Sequence, residues 1–514
     1  MKKSILAMLG VTLLMLSLGC SGYSRKENVA AAGSEVVKPA ENTIVKITLL
    51  QINDLYEITP VSGGKEGGMA RLATLRKQLA AQNPNTFMIL AGDLFSPSAL
   101  GTAKVDGERL DGKQMVAVLN AIGLNYCTFG NHEFDLKEQP FLQRLSESRF
   151  KWFSSNAFDK NGKAFPNVAE NVVFTVANAS NQQARIGMFG VTMTKNQPDY
   201  VTFADPLETA KKQVQALRRQ VDILIAVTHL TIDEDVALAQ ALPEIDLILG
   251  GHEHENVQIW RGADFTPILK ADANVRSAYI HDLSYDTETR RLQINSRLQP
   301  INDKIPDDPE ASQVVQHWVD LGFNAFRQMG FEPNKLVVNS PVALDGRESS
   351  VRNHSTNLTE IIVKAFLNAT PEAELAIFNG GSIRIDDELS PGPITEYDVI
   401  RILPFGGKVV LVEMRGRLLK QVLDQGQANK GSGGYLHAAN AGWSEAQNNW
   451  LINDKPLDQR RNYNVAISDF LITGNEQGLN YLNRQNPDLK VLNENVIEVR
   501  RALINQLQKT FASK

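Results

Sequence analysis

Short apolar runs separated by amphipathic segments set the pattern of the chain from Ile44 to about Ile301. KITLLQI, TFMILAG, LNYCTFG, ARIGMFGV, VDILIAVTHL and IDLILGG each suit one buried strand and are too short for a typical helix. Between several of them, segments such as MARLATLRKQLAAQ and DPLETAKKQVQALRRQ repeat their apolar residues at helical spacing. Strands alternating with helices predict an α/β domain with largely parallel core strands over 44–301. Residues 302–334 form a linker with a helix, for which Asp308 before Pro309 is a suitable start. A second mixed α/β region occupies 335–514, and neither an internal repeat nor a low-complexity tract occurs.

The first twenty residues break this pattern. Lys2 and Lys3 precede ILAMLGVTLLMLSL, which ends at Gly19 and Cys20, the layout of a secretory signal. Cleavage before a cysteine resembles a bacterial lipoprotein signal; a plain signal peptide or an N-terminal anchor is the other reading. On the lipoprotein reading, residues 1–19 are removed and Cys20 carries a lipid. Residues 20–43, which lack periodicity, then form a tether. The protein is expected to be exported and anchored to a bacterial membrane, facing the periplasm or the cell exterior. Cys127 would be the only thiol left, so no internal disulfide could form. No later segment approaches the ~20 continuous apolar residues needed to span a bilayer.

Length and charge narrow the picture further. A chain of 514 residues exceeds one core and predicts two or three domains. The formal charge of -5 becomes -7 once Lys2 and Lys3 are removed, which argues against binding nucleic-acid polymers.

The candidate chemistry sits where the apolar runs end. ITLLQI ends in Asn53-Asp54 and TFMILAG in Asp93, while LNYCTFG leads into Asn131-His132-Glu133-Phe134-Asp135. VDILIAVT gives His229, and IDLILGG gives His252-Glu253-His254. Ligand sites in open α/β sheets lie beyond the carboxyl ends of strands, where loops converge. The chain has eight histidines, and four of them stand at these ends. One such residue alone would read as a cap or turn; five polar strand ends together point to a metal site. Oxygen and imidazole donors without thiolate suit divalent Zn, Mn, Fe or Co, and two ions sharing a carboxylate suit phosphoryl transfer to water.

The order Asp54…Gly92-Asp93…Gly130-Asn131-His132-Glu133…His229…Gly251-His252-Glu253-His254 resembles the calcineurin-like metallophosphoesterase pattern. NGGSIR (379–384), LPFG (403–406) and, more loosely, FLITGNEQG (470–478) resemble the C-terminal signatures of its 5′-nucleotidase branch, which includes UDP-sugar hydrolases. The resemblance implies a four-layer α/β/β/α metallophosphoesterase domain, a linking helix and a C-terminal substrate-binding domain. It also implies two divalent ions, Zn, Mn or similar. Asp54, Asp93 and His254 would hold one ion, and Asp93, Asn131, His229 and His252 the other. His132 would face the scissile phosphate, oriented by Asp135.

For substrate, the resemblance implies that Phe405 and Phe470 sandwich a base, with Arg347, Arg352, Asn379, Arg384 and Glu476 as further contacts. Two phenylalanines in the core are the plainer alternative. Catalysis would need the two domains closed on each other, with the helix at 307–328 in the hinge region. The expected activity is release of phosphate from nucleotides, 5′-nucleotidase activity in salvage above all. UDP-sugar or 2′,3′-cyclic-nucleotide hydrolysis, or nucleotide binding without catalysis, are the alternatives. One position departs from the family pattern: Tyr56 stands where most members carry histidine in Asp-x-His. It is expected to alter the affinity or identity of the first ion.

Overall fold

In the first strand, alternate side chains face opposite ways: Val45, Ile47 and Leu49 enter one core and Leu50 and Ile52 another. That two-sided burial is what a strand inside a layered fold requires. The computed structural model describes residues 41–195 and 197–512. The expected signal peptide, the lipid on Cys20 and nearly all of the tether fall on residues 1–40, outside the described residues. Among the described residues no helix is long and apolar enough to cross a membrane.

The principal strands of the N-terminal part are β1 (Ile44–Ile52), β2 (Thr86–Leu90), β3 (Tyr126–Cys127), β4 (Lys151–Phe153), β5 (Val168–Ala169), β6 (Asn171–Ala177), β7 (Gln183–Thr192), β8 (Ile223–His229), β9 (Leu247–Gly250), β10 (Val257–Arg261), β11 (Thr266–Lys270), β12 (Ser277–Asp286) and β13 (Arg291–Pro300). They form two sheets, ordered β5-β4-β3-β2-β1-β12-β13 and β6-β7-β8-β9-β11-β10. Within the first sheet β1 to β5 run parallel to their neighbours, while β12 and β13 are antiparallel. In the second, the central strands are parallel and both edge strands antiparallel. The parallel interior matches the sequence pattern. The β12–β13 hairpin does not announce itself there, because β13 alternates between exposed and half-buried positions at a sheet edge.

The sheets pack face to face through Val45, Ile47 and Leu49 against Ile186, Met188, Ile225, Val227, Leu247 and Leu249. Helices α1 (Met69–Gln82) and α2 (Lys113–Ile122) cover the outer face of the first sheet, with Leu72 and Leu119 against Leu50 and Leu90. Helices α3 (Pro206–Leu217) and α4 (Ile232–Ala241) cover the second sheet, with Val214 and Leu238 against Leu224 and Ile248. The result is four layers, α/β/β/α.

Helix α5 (Pro309–Gln328) begins at Asp308, whose side chain accepts from the Ala311 N–H at 2.9 Å. Its Ala311, Val319, Ala325 and Phe326 join the core that contains α1 and α2. The C-terminal part adds β14 (Leu375–Asn379), β15 (Lys408–Arg415), β16 (Leu436–Ala439), β17 (Asn462–Ser468) and β18 (Leu489–Glu498), ordered β16-β14-β17-β15-β18. The same core runs on through Phe366, Phe378 and Leu503, and from Glu41 onward the chain is one compact unit. Polar contacts reinforce the junction: Tyr397 Oη donates to Glu57 at 3.2 Å, and the Ser62 N–H donates to Asp387 at 3.0 Å.

One buried polar bridge ties the two N-terminal sheets together. Gln51 Nε2 donates to the carbonyls of Gly250 (3.0 Å) and Leu269 (2.8 Å), so its Oε1 is left to accept from His281 Nε2 at 3.0 Å. His281 Nδ1 therefore accepts from Ser296 Oγ at 2.8 Å, and the neutral ring is fully satisfied. Burial pushes His281 down to about 3. Unfolded, the same ring titrates near ~6.5, so the folded form binds its proton less tightly. Stability is then complete above pH ~6.5 and is lost progressively as pH falls toward 3, by on the order of 4 kcal/mol. The melting temperature of the wild type is expected to drop over that interval more steeply than that of His281→Gln. Equal slopes in thermal denaturation at several pH values would remove His281 as the cause.

Candidate metal centre

The ends of β1, β2, β8 and β9 and the segment after β3 meet at one place. The Asp54 N–H donates to the Gly92 carbonyl (3.1 Å) and the Leu55 N–H to the Asp93 carbonyl (2.7 Å), which locks the first two loops together. Asp54, Asp93 and His252 all have positive φ, at 53°, 61° and 83°. Left-handed backbone is uncommon outside glycine and clusters where function holds it in place. Gly130 is required for a different reason: a Cβ there would collide with the Asp93 carboxylate and its backbone nitrogen.

A carboxylate that the sequence reading gave no role holds this turn. Fully buried Glu133 accepts from the N–H groups of Asp93 (2.9 Å), Leu94 (2.6 Å), Phe95 (3.3 Å) and Gly130 (2.5 Å). Burial, and then the Asp93 charge, push its carboxyl up to about 7.

Asp54, Asp93 and His229 are buried together, with donor atoms close enough to share an ion. His229 Nε2 faces Asp93 Oδ2 at 3.2 Å without the alignment of a hydrogen bond. Its Nδ1 donates to the Ala91 carbonyl at 2.8 Å, so Nε2 is the nitrogen whose lone pair the neutral ring would offer to a metal at the cluster. Asn131 Oδ1 is buried with no hydrogen-bond partner. An orphaned amide oxygen beside aspartates and an imidazole lone pair is the donor set a divalent cation needs, so these residues fit a metal.

His254 Nε2 lies 3.5 Å from Asp54 Oδ1, and its Nδ1 lies 2.5 Å from Asp386 Oδ2. Burial alone would lower the His254 pKa, but Asp386 and Glu348 push it up to about 10. His252 goes the other way: burial, then the neighbouring His229, push it down to about 2. Tyr56 is buried, and its Oη lies 3.2 Å from Asp54 Oδ1, 3.1 Å from Asp93 Oδ2 and 3.1 Å from His254 Nε2.

His132 stands at the edge of this cluster. Its backbone N–H donates to Asp93 Oδ1 at 2.8 Å and its Nδ1 pairs with Asp135 at 2.7 Å. Ser96, another residue without a sequence-level signal, donates to the same Asp135 oxygen at 3.0 Å. From the C-terminal part, Arg384 Nη2 reaches within 3.2 Å of His132 Nε2.

One large cleft joins the cluster to the C-terminal candidates and is lined by Asn131, His132, His252 and His254 as well as Arg352, Arg384, Phe405 and Phe470. Phe405 is 50% exposed and Phe470 41% exposed, so neither is a core residue. Arg347, Asn379 and Glu476 also line the cleft. Asn379 Nδ2 donates to Glu476 at 2.7 Å, whereas Arg347 is held by both oxygens of Asp345 at 2.9 Å. Arg352 pairs with Glu348 at 2.5 Å, and no carboxylate pairs with Arg384 among the described residues.

Comparison with known proteins matches both parts of this arrangement. Residues 47–256 match the model for calcineurin-like phosphoesterases, and residues 337–484 match the 5′-nucleotidase C-terminal domain. The chain belongs to the calcineurin-like phosphoesterases of 5′-nucleotidase type. Among its relatives, the 5′-nucleotidase of Vibrio cholerae is 26% identical over 488 residues, 84% of this chain and 85% of the relative. The trifunctional nucleotide phosphoesterase protein YfkN of Bacillus subtilis is 25% identical over 460 residues, 81% of this chain. That alignment covers 30% of the YfkN length. The crystal structure of a 5′-nucleotidase precursor from Thermus thermophilus is similar in fold, with a TM-score of 0.72 at 22% identity over 91% of this chain and 97% of that one. The chain is accordingly a phosphoric ester hydrolase of a family that uses divalent metals.

The Glu133 staple gives a test of this phosphoesterase site. Glu133→Gln replaces one of the two accepting oxygens with an NH2 group that faces backbone donors. The substitution is expected to cost roughly 1–3 kcal/mol for each N–H left without an acceptor. It should also lower metal content, measured by elemental analysis beside a denaturant titration. Unchanged stability and metal content would show that the staple does not hold the turn.

Proposed function

We propose that this chain is an exported two-metal phosphohydrolase that releases phosphate from nucleotides, foremost a 5′-nucleotidase. The observation that carries the reading is the 3.2 Å approach of Arg384 to His132 inside a cleft bearing two exposed phenylalanines. A phosphate-type cation, a histidine beside the metal cluster and two rings suited to a base thus line one cleft. In this reading Asp54, Asp93 and His254 hold one ion and Asp93, Asn131, His229 and His252 the other. The ions supply charge neutralisation for a phosphoryl group and activation of water.

The chain's own residues do the rest. His132, kept in orientation by Asp135, donates a proton or hydrogen bond to the phosphoryl or leaving oxygen. Arg384 and Arg352 neutralise phosphate charge through planar N–H pairs. Phe405 and Phe470 stack on the two faces of the base, a contact that every base can make. Asn379 and Glu476 bond to each other and present a polar edge to the sugar, and Arg347, tied to Asp345, also lines the cleft. Residues 44–301 would carry the metals and 335–514 the substrate reader, with the linker between them. Export rests on the N-terminal signal, and lipid attachment at Cys20 would hold the enzyme at a bacterial membrane.

Hydrolysis of AMP by the purified, metal-loaded protein tests the reading. Asp93→Ala and His132→Ala should each reduce turnover by about 100-fold or more, with His132→Ala keeping its metal. Phe405→Ala should raise KM for AMP by about 5- to 150-fold, the equivalent of ~1–3 kcal/mol of stacking. Tight nucleotide binding without turnover under Zn, Mn, Co or Fe would instead indicate a binding protein. Preference for UDP-sugars or 2′,3′-cyclic nucleotides would reassign the substrate on the same scaffold.

A further inference from the structure

Tyr56 sits inside the cluster in a way that hydrogen bonding alone does not require. Its hydroxyl oxygen is 3.1–3.2 Å from three separate donor atoms: Asp54 Oδ1, Asp93 Oδ2 and His254 Nε2. His254 Nε2 and Asp54 Oδ1 are themselves 3.5 Å apart. A phenol oxygen donates one hydrogen bond and can accept another from a His254 Nε2–H, but its single proton can serve only one of the two carboxylates well. Four donor atoms separated by these distances have another geometric meaning. Around a tetrahedral ion with bonds of about 2.0–2.2 Å, donor atoms lie about 3.3–3.6 Å apart. Four of the six spacings among these atoms, at 3.1–3.5 Å, approach that figure, and all four residues are buried or nearly so.

We propose that Tyr56 is a metal ligand, the fourth donor to the ion held by Asp54, Asp93 and His254. The assignment rests on the two-metal reading given above and deepens it. As the ion enters, the Tyr56 O–H bond breaks, its proton leaves to solvent, and an oxygen lone pair forms the bond to the metal. A dication beside the phenol offsets the two carboxylates that otherwise oppose this ionisation.

The ring is already in place. The Tyr56 backbone N–H donates to Asn274 at 3.2 Å, and its ring meets that of His254 edge-on, with centroids 5.4 Å apart. Because phenolate replaces neutral imidazole, the donor set carries one more negative charge and is richer in oxygen. Such a set favours Mn or Fe over Zn at this position relative to a histidine-bearing site.

The test titrates metal-free protein with Zn2+, which has no absorbance of its own, while recording the near-ultraviolet phenolate difference band, proton release and bound metal. The wild type should develop the band as the ion liganded by Tyr56 binds. Tyr56→Phe should lack the band, release one proton fewer and bind that ion at least ~10-fold more weakly. Tyr56→His should bind two ions without the band, which separates a ligand role from simple misfolding of the phenylalanine variant. Two ions bound by the wild type with no phenolate band would overturn the proposal, as would equal affinities in the wild type and Tyr56→Phe. AMP hydrolysis by the same samples keeps the two readings apart: turnover with two ions and no band would defeat the ligation by Tyr56 alone.

Discussion

Two carboxylates, Asp54 and Asp93, are wholly buried and converge on the same tyrosine oxygen. Among the described residues neither has a lysine or arginine partner; their ionic neighbours are His229 and His254. Like charges removed from water are costly unless positive charge or hydrogen-bond donors surround them. Much of the local structure answers that demand. Asn53 Nδ2 and the His252 N–H donate to Asp54, the His132 N–H donates to Asp93, and the histidines crowd in behind. Left-handed backbone at three of these positions and the bare Cα of Gly130 allow loops from five chain segments to approach this closely. A divalent ion is the remaining component that would balance the charge.

The parallel α/β interior and the ligand-bearing loops were legible in the sequence because both follow from local patterns, whereas the order of the four layers was implied only by the family resemblance. Short continuous apolar runs marked the strands, helical spacing marked α1 and α3, and polar residues at run ends marked the loops that converge. The signals failed where structure depends on distant partners. LNYCTFG reads as a strand, yet only Tyr126–Cys127 pair, because the chain turns away to deliver Asn131. Glu133 reads as one more acidic residue in a polar loop, and its four backbone donors come from two loops that only folding brings together. Asp386 lies two residues beyond NGGSIR, but nothing local says that it faces His254.

The C-terminal part is more than the proposed surface for substrate. Its exposed phenylalanines would be a liability on an isolated domain, and here they open into the cleft that Asn131, His132, His252 and His254 also line. The apolar core that passes through α5 into both parts, with Glu57, Tyr397, Ser62 and Asp387 at the junction, fixes how the two walls of that cleft face each other. Precision at the site therefore depends on packing well away from it.

The bond between His254 Nδ1 and Asp386 has a thermodynamic consequence. Asp386 is two residues from Arg384, so the backbone that carries the proposed phosphate-binding arginine also sets the orientation of a candidate metal ligand. Two ligands that bias the same element are linked, and the linkage is reciprocal: whatever factor the metal adds to nucleotide affinity, the nucleotide adds to metal affinity. Where bound metal raises nucleotide affinity, such an enzyme would hold its metal more tightly while substrate is bound.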